Sequence, residues 1–353
     1  MLKQIRLIDF KSFADEQVEL APLTLLVGAN ASGKSNFLDA VWFLHGLALG
    51  LEIGEILADP EDLVHRNGEH WPGLRGGSKE ASRLGTAQFE IRTTWKEGET
   101  DVQHQIVCQT LPSLLIRESD GPVGGPLRPL LFGPVHAATL LADIHQIAIR
   151  PEQMRGYGKL KRPHLAADGT NFSGALHSLC VEPEEQETLV DWLTELLAPE
   201  IIDIDFIKVE ELGDVMAVFV EKDGTRVSAR SLSDGTLRFL GLLLSLRQAD
   251  HGSTFLIEEI DSGLHPARIR VLMELLRQVT RERGLQIIAT THDPACLEYL
   301  DDEALRGVIV FGRVPEHQGT IMRRLGDLPH FNDVVKRQGI SELFTTGWLE
   351  MAL

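Results

Sequence analysis

Gly28-Ala29-Asn30-Ala31-Ser32-Gly33-Lys34-Ser35 fits the phosphate-loop spacing G-x-x-x-x-G-K-[ST]. That spacing serves one kind of chemistry. Its glycines let the backbone approach an anion closely, and the N–H groups of the loop and of the helix that follows then face the anion's oxygens. Lys34 can neutralise charge on β- and γ-phosphates, and the Ser35 hydroxyl can reach Mg²⁺. Leu23–Val27 is a short apolar run suited to a buried parallel strand, whereas Phe37, Leu38, Ala40, Val41, Phe43 and Leu44 recur at helical spacing. Strand, glycine-rich turn and helix is the context the motif needs.

Other stretches share this strand-then-polar pattern. Thr254-Phe255-Leu256-Ile257-Glu258-Glu259 is an apolar strand ending in two carboxylates. At the carboxyl edge of a parallel sheet both acids fall beside the phosphate loop, one to hold Mg²⁺ through its water shell, the other to orient or deprotonate water. Gln286–Thr290 is another apolar strand, followed by Thr291-His292-Asp293. Taken alone, His292 reads as a surface-loop histidine; the order of the motifs makes it a partner for a γ-phosphate or the attacking water. Ser231–Arg238 opens a helix, with Ser233 or Asp234 as an ordinary N-cap. Such a helix start is also a group of N–H donors able to receive a phosphate.

The elements that must position these groups follow from the rest of the chain. It has 353 residues, 43% of them hydrophobic, enough for one large or two modest domains. A formal net charge of −18 disfavours general contact with nucleic acid or anionic membrane, so either would need a local basic patch. Arg150, Arg155, Lys159, Lys161 and Arg162 form such a stretch, a solvated loop, a docking patch or a track for DNA or RNA; Arg66, Arg75, Lys79 and Arg83 invite the same reading with less force. Glu182, Glu184, Glu185 and Glu187 read as a solvated helix start favoured by its dipole. Cys108, Cys180 and Cys296 lie far apart, which argues against a disulfide framework or a zinc site and fits a reducing cytoplasm. The N-terminus lacks a signal-peptide core, and no run of 18 apolar residues exists, so a soluble cytoplasmic chain without membrane contact is expected.

Residues 2–9 and 16–20 read as two strands around Phe10-Lys11-Ser12-Phe13. Residues 60–85 read as an irregular loop, 87–95 and 102–109 as strands, and 112–134 as a Gly/Pro-rich passage. Helices are predicted near 171–180 and 184–197, then strands at 202–209, 215–222 and 225–229. Helix 235–248, strand 253–258, helix 266–283, strands 285–290 and 307–311 and a helical end from 331 complete an α/β pattern with a mainly parallel sheet. No repeat and no long heptad run is present.

The ordered motifs resemble those of ABC-type ATPases of the RecF/SMC-like branch, the stand-alone AAA family ATPases. The resemblance rests on Ile8–Phe13 with the phosphate loop and Asn36–Ala40, on Leu232-Ser233-Asp234-Gly235, on Glu258–Pro266 and on Thr291-His292-Asp293; Ile149–Arg155 with Asp168–Asn171 adds to it. The resemblance implies an ATPase head with a P-loop parallel sheet, an antiparallel β subdomain and an inserted helical lobe, without a long coiled coil. It puts the nucleotide-binding core at 1–49 and 200–325, the inserted lobe at 50–199 and a helical end at 326–353. It implies ATP and Mg²⁺ as cofactors, with Asn30, Ala31, Ser32, Gly33, Lys34, Ser35 and Asn36 on the nucleotide. Ser35 and Glu258 would hold the metal, Glu259 would be the catalytic base and His292 the switch histidine. Ser233 and Gly235 would meet the γ-phosphate held by a second copy of the chain, with Asp261–Leu264 at the dimer seam. Gln146 and Gln153 are the candidates for the Q-loop glutamine.

Such a head would hydrolyse ATP, dimerise on it and control nucleic acid or a separate effector, in genome maintenance or anti-phage defence. The alternatives are the nucleotide-binding subunit of a transporter and a scaffold that binds ATP and hardly hydrolyses it. A separate effector is expected because the residues after His292 read as two strands and a short helical end, whereas a nuclease domain typically needs about 100 residues. The tail Gly347-Trp348-Leu349 is either a docking surface or a cap on the chain's own core.

Overall fold

The computed structural model of the chain describes residues 1–58, 64–66, 69–71, 73–97, 100–110, 115–118, 121–122, 143–196, 200–313 and 319–353. Strands β1 (Leu2–Ile8), β2 (Asp15–Glu19) and β3 (Leu23–Gly28) lead into helix α1 (Lys34–Ala48), and a long hairpin follows, β4 (Gln88–Glu97) and β5 (Thr100–Gln109). Helices α2 (Phe172–Leu179) and α3 (Pro183–Leu196) precede a second hairpin, β6 (Ile201–Val209) and β7 (Asp214–Glu221). Helix α4 (Asp234–Gln248), β8 (Thr254–Ile257), α5 (Pro266–Glu282) and β9 (Gln286–Thr290) then alternate. Strands β10 (Val308–Arg313) and β11 (Thr320–Arg324) come last, before helices at Phe331–Gln338, Ile340–Thr345 and Trp348–Met351. The chain divides into two units. One holds Met1–Ile144, Gly252–Leu256 and Gly284–Leu353; the other holds His145–His251 and Ile257–Arg283. Residues 50–199 therefore contribute to both.

The first unit contains two large sheets. One runs β2-β1-β4-β5 and is extended by Leu115–Glu118 and Gly121–Pro122, with antiparallel pairing that sets Ile5 opposite Val18 and Ile91 opposite Ile106. The other carries β8-β9-β3-β10-β11 in that order. There β3 lies parallel to both neighbours, Leu26 opposite Thr290 and Gly28 opposite Phe311, so its six residues are buried and apolar almost throughout. Helix α1 is buried on most of its circumference, as expected of a helix with so few polar positions. Phe37 and Phe43 of α1 meet Phe311 and Phe89 edge-on, with ring centroids 5.7 and 5.2 Å apart. Such pairs contribute about 0.5–1.5 kcal/mol each beyond burial. Trp348 is half-buried while Leu349 is buried.

In the second unit β7 sits at the centre of a small antiparallel sheet between β6 and Gly158–Lys159, and Arg226–Ser228 also pairs with it. Helix α2 packs on β7, and α3 lies along β6 and against α5. Arg283 closes α4 by donating to the carbonyls of Leu246, Arg247 and Ala249, which a helix C-terminus leaves without partners. Asn171 accepts from the Lys159 amide and donates to the Arg162 carbonyl, so the Asp168–Asn171 stretch ties down the basic segment.

The fold is the α/β arrangement that alternation implies, with short elements that periodicity misses. Within 60–85, expected as an irregular loop, Val64–Arg66 pairs with Glu69–Trp71 and Gly77–Ala81 is helical; none is long enough to display a period. Ile144–Ile147 and Pro151–Met154 are missed for the same reason. Most of the passage at 112–134 lies outside the described residues. No helix of the described residues is long and apolar enough to cross a membrane.

Gln286 joins the two large sheets of the first unit. Fully buried, its side chain accepts from the Leu2 N–H at 2.9 Å and donates to the Leu2 carbonyl at 2.7 Å. Replacing it with Leu strands both backbone groups away from water. Gln286→Leu should therefore lower stability by about 2–4 kcal/mol in chemical denaturation, and an unchanged midpoint would show that water reaches Leu2.

Candidate active site

The phosphate loop occupies the turn between β3 and α1. Gly28 has φ 138°, and a Cβ there would lie 2.2 Å from the Phe311 carbonyl oxygen. Gly33 has φ 111°, and its Cβ would lie 2.3 Å from the Thr320 hydroxyl. Both glycines are thus required by backbone angle and by space. Gly33 is the N-cap of α1, no side chain caps the helix, and its first turn carries no acid. The positive end of the helix therefore meets neither a capping side chain nor a first-turn acid, which suits an anion. Lys34 is buried and donates to the Gly28 carbonyl at 2.7 Å and the Ala29 carbonyl at 2.8 Å. Asn30 and Ala31 are exposed, Ala31 with φ 61°; Ser32 is buried, and Ser35 and Asn36 are half-buried.

Two motif segments brace this loop. Asp9 and Lys11 have φ near +50°, which winds Ile8–Phe13 into a tight turn closed by the Phe13 N–H on the Phe10 carbonyl. The turn sends Lys11 to Asp39 of α1 at 2.6 Å, a pair with 5% and 9% of its side chains exposed. Arg75 grips the same carboxylate and donates to the Ser35 carbonyl at 2.8 Å. Arg75, one of the scattered basic residues of 66–83, thus braces α1. Asn36 donates to the Ser12 hydroxyl at 2.8 Å. Thr320 also joins this group, though nothing in its sequence surroundings marks it. His292 is exposed and follows β9, the strand paired in parallel with β3. The structure therefore brings the loop, the Ile8–Phe13 turn, Thr320 and the strand leading to His292 into one unit.

The second unit gathers the other candidates. Ser233 is the N-cap of α4, accepting from the Thr236 N–H at 3.2 Å with its hydroxyl exposed. A Cβ on Gly235 would lie 2.0 Å from the Gly263 carbonyl oxygen, so this glycine admits the Asp261–Leu264 segment against the helix start. Glu259 has φ 48°, rare for a side chain of its size, and is held by the Ser262 N–H on its carbonyl at 2.8 Å. A cavity of about 260 Å³ is lined by Gln146, Arg238, Glu258, Glu259, Ser262 and apolar neighbours. Of the two Q-loop candidates, Gln146 shares this cavity with the carboxylates, and Gln153 is not among its lining residues.

The basic stretch divides. Arg155 donates to the carbonyls of Arg230 and Leu232 at 2.6 and 2.8 Å and pairs with Asp234, so it braces the loop before α4. Lys159 pairs with Asp214 at 2.6 Å. Arg150, Lys161 and Arg162 are exposed. Charge runs do not reveal their partners in sequence.

Cysteine chemistry has no support here. Burial pushes the Cys108 thiol up to about 12, and burial with Asp203 and Glu185 pushes Cys180 up to about 12, so neither supplies a thiolate near neutral pH. Among the described residues no group of three or more His, Cys, Asp or Glu side chains could hold a metal by itself.

Family models match two parts of the chain. The family described as "AAA ATPase domain" matches residues 1–63, and that described as "AAA domain, putative AbiEii toxin, Type IV TA system" matches residues 160–298. Methionine import ATP-binding protein MetN of Corynebacterium jeikeium (strain K411) is 31% identical over 114 residues, 32% of this chain and 29% of that protein. DNA replication and repair protein RecF of Acaryochloris marina (strain MBIC 11017) is 53% identical over 47 residues, 13% of each. The chain thus spans less than a third of the length of these curated relatives. The SMC head domain from Thermotoga maritima has the same fold, with TM-score 0.52 at 15% identity over 92% of this chain and 98% of that one. An Smc head bound to the C-winged helix domain of ScpA gives TM-score 0.53 at 16% identity, covering 91% and 96%.

The Gly235–Gly263 approach gives a test. Gly235→Ala must displace a backbone carbonyl, so it should destabilise the second unit by about 1–3 kcal/mol, seen as an earlier denaturation transition. A wild-type transition would mean that the Asp261–Leu264 segment yields freely.

Proposed function

Because AAA ATPase family models match residues 1–63 and 160–298 and the chain has the fold of an SMC head, we propose that it is an ATPase of the ABC, RecF and SMC type that binds Mg-ATP at residues 28–36 and hydrolyses it. The uncapped start of α1 behind a loop with two obligatory glycines carries this reading. Backbone N–H groups of Gly33, Lys34 and Ser35 receive the β-phosphate, while Lys34 exchanges its loop carbonyls for phosphate oxygens. Ser35 and Glu258 hold Mg²⁺, which when bound neutralises charge on the β- and γ-phosphates. Glu259 takes a proton from the attacking water, and His292 orients that water or the γ-phosphate. Gln146, which lines the cavity with both carboxylates, is the stronger candidate for a polar contact to metal or water.

The proposal extends to assembly. Two copies close on ATP, with the exposed Ser233 and the Gly235 turn facing the γ-phosphate held by the other copy. Closure is passed to a separate effector or to nucleic acid, with Arg150, Lys161 and Arg162 as the available basic side chains. Genome maintenance is supported by the RecF match and defence by the toxin-system family match. The MetN match favours a transporter subunit as second reading, but it covers 32% of this chain, against 92% for the SMC head fold.

Phosphate release by the purified chain tests catalysis. Lys34→Ala should lose ATP binding, and Glu259→Gln should bind ATP with turnover reduced by at least about 10²-fold. Equal turnover in wild type and Glu259→Gln removes Glu259 as the base. For assembly, Glu259→Gln with ATP should sediment as a dimer and Glu259→Gln/Ser233→Arg as a monomer; equal masses contradict the seam.

A further inference from the structure

Four polar groups under the phosphate loop form a single hydrogen-bonded line. The Asn36 amide nitrogen lies 2.8 Å from the Ser12 hydroxyl, which lies 2.7 Å from the Thr320 hydroxyl, which lies 2.8 Å from the Ser32 carbonyl. Chemistry sets the direction at both ends. The amide NH₂ only donates and the carbonyl only accepts. The Thr320 hydroxyl, with one proton, is shared as donor between the Ser32 carbonyl and the Ser12 hydroxyl, and Ser12 accepts from Asn36 as well.

We propose that Thr320, through this line, is a positioning residue for nucleotide binding, holding the Ser32 peptide with its carbonyl turned away from the phosphates. The inference rests on the nucleotide reading of residues 28–36. A peptide plane has a donor face and an acceptor face, and a carbonyl swung toward an anion replaces attraction with repulsion. Ser32 precedes Gly33, whose φ of 111° marks a residue with freedom to rotate. The Thr320 side chain fills the space beside Gly33 where a Cβ would stand, and it is 2% exposed, so the Ser32 carbonyl has a fixed, dry acceptor site. Thr320 is itself held: its N–H donates to the Ser12 carbonyl at 2.7 Å, and Glu16 accepts from the Met322 N–H and from Arg323 further along β11. The Ile8–Phe13 turn and β11 thus act on the loop without touching nucleotide.

The test is calorimetric binding of Mg-ATP to the full chain, with thermal midpoints recorded beside it. Thr320→Val keeps shape and removes the hydroxyl; it should bind about tenfold more weakly, while Thr320→Ser, which keeps the hydroxyl, should stay within about twofold of wild type. Ser12→Ala should weaken binding about threefold and add nothing in the Thr320→Val background, because its effect passes through Thr320. Wild-type affinity in Thr320→Val, a Thr320→Ser as weak as Thr320→Val, or full additivity with Ser12→Ala would overturn the proposal. If Thr320→Val does not fold, Ser12→Ala decides, and wild-type affinity there overturns it. Wild-type binding lost in Lys34→Ala but unchanged in Thr320→Val leaves the nucleotide site standing and removes the relay alone. A wild-type chain that does not bind Mg-ATP overturns both.

Discussion

A helix start with neither a capping side chain nor a first-turn acid keeps its positive end available to an anion. That condition governs this structure. Gly33 caps α1 without contributing a side chain, and the turn holds no acid to occupy its positive end. Most helices avoid the situation, as α4 does when Ser233 turns its hydroxyl to the Thr236 N–H. Leaving α1 open is tolerable because the helix is anchored elsewhere, by Phe37, Phe43 and other buried residues along its length. The start of the helix can then face a ligand while the rest of it is held in the core.

The same logic explains the ionic brace. Lys11 and Asp39 are almost wholly buried, and burying such a pair recovers little net stability once desolvation is counted. Its value lies in position. Three groups with fixed directions, Lys11, Asp39 and Arg75, lock the turn of α1 that carries Ser35, and Arg75 also holds the Ser35 carbonyl. Residues that sequence comparison groups with the phosphate loop thus serve its geometry from behind. In the second unit Arg155 does the same for the loop before α4, through two carbonyls and Asp234.

Much of this was legible in the chain. The phosphate loop declares itself because its glycines, lysine and serine fall at fixed spacing within eight residues and its flanking strand and helix are strongly patterned. The alternation after residue 200 likewise follows from long apolar runs. What escaped was set by contacts distant in sequence or by elements too short to show a period. Thr320 is an ordinary strand threonine until β11 is brought to Ser12. Arg155 and Lys159 belong to a charge run in sequence and to Asp234 and Asp214 in space. Gly235 fits a motif, but its steric reason is the carbonyl of Gly263, which only the fold supplies. The left-handed backbone at Glu259 is equally silent in sequence and marks that carboxylate as one the fold holds at a cost.

The central claim is that the open start of α1 holds nucleotide phosphate. Amide hydrogen exchange at Gly33, Lys34, Ser35 and Asn36, compared with and without saturating Mg-ATP, tests it most directly. The account predicts that exchange at these amides slows by at least about tenfold, the protection expected when water is replaced by a bound acceptor. Exchange in the Phe331–Gln338 helix should stay as it was. Unchanged exchange at residues 33–36 in a chain saturated with Mg-ATP would contradict it.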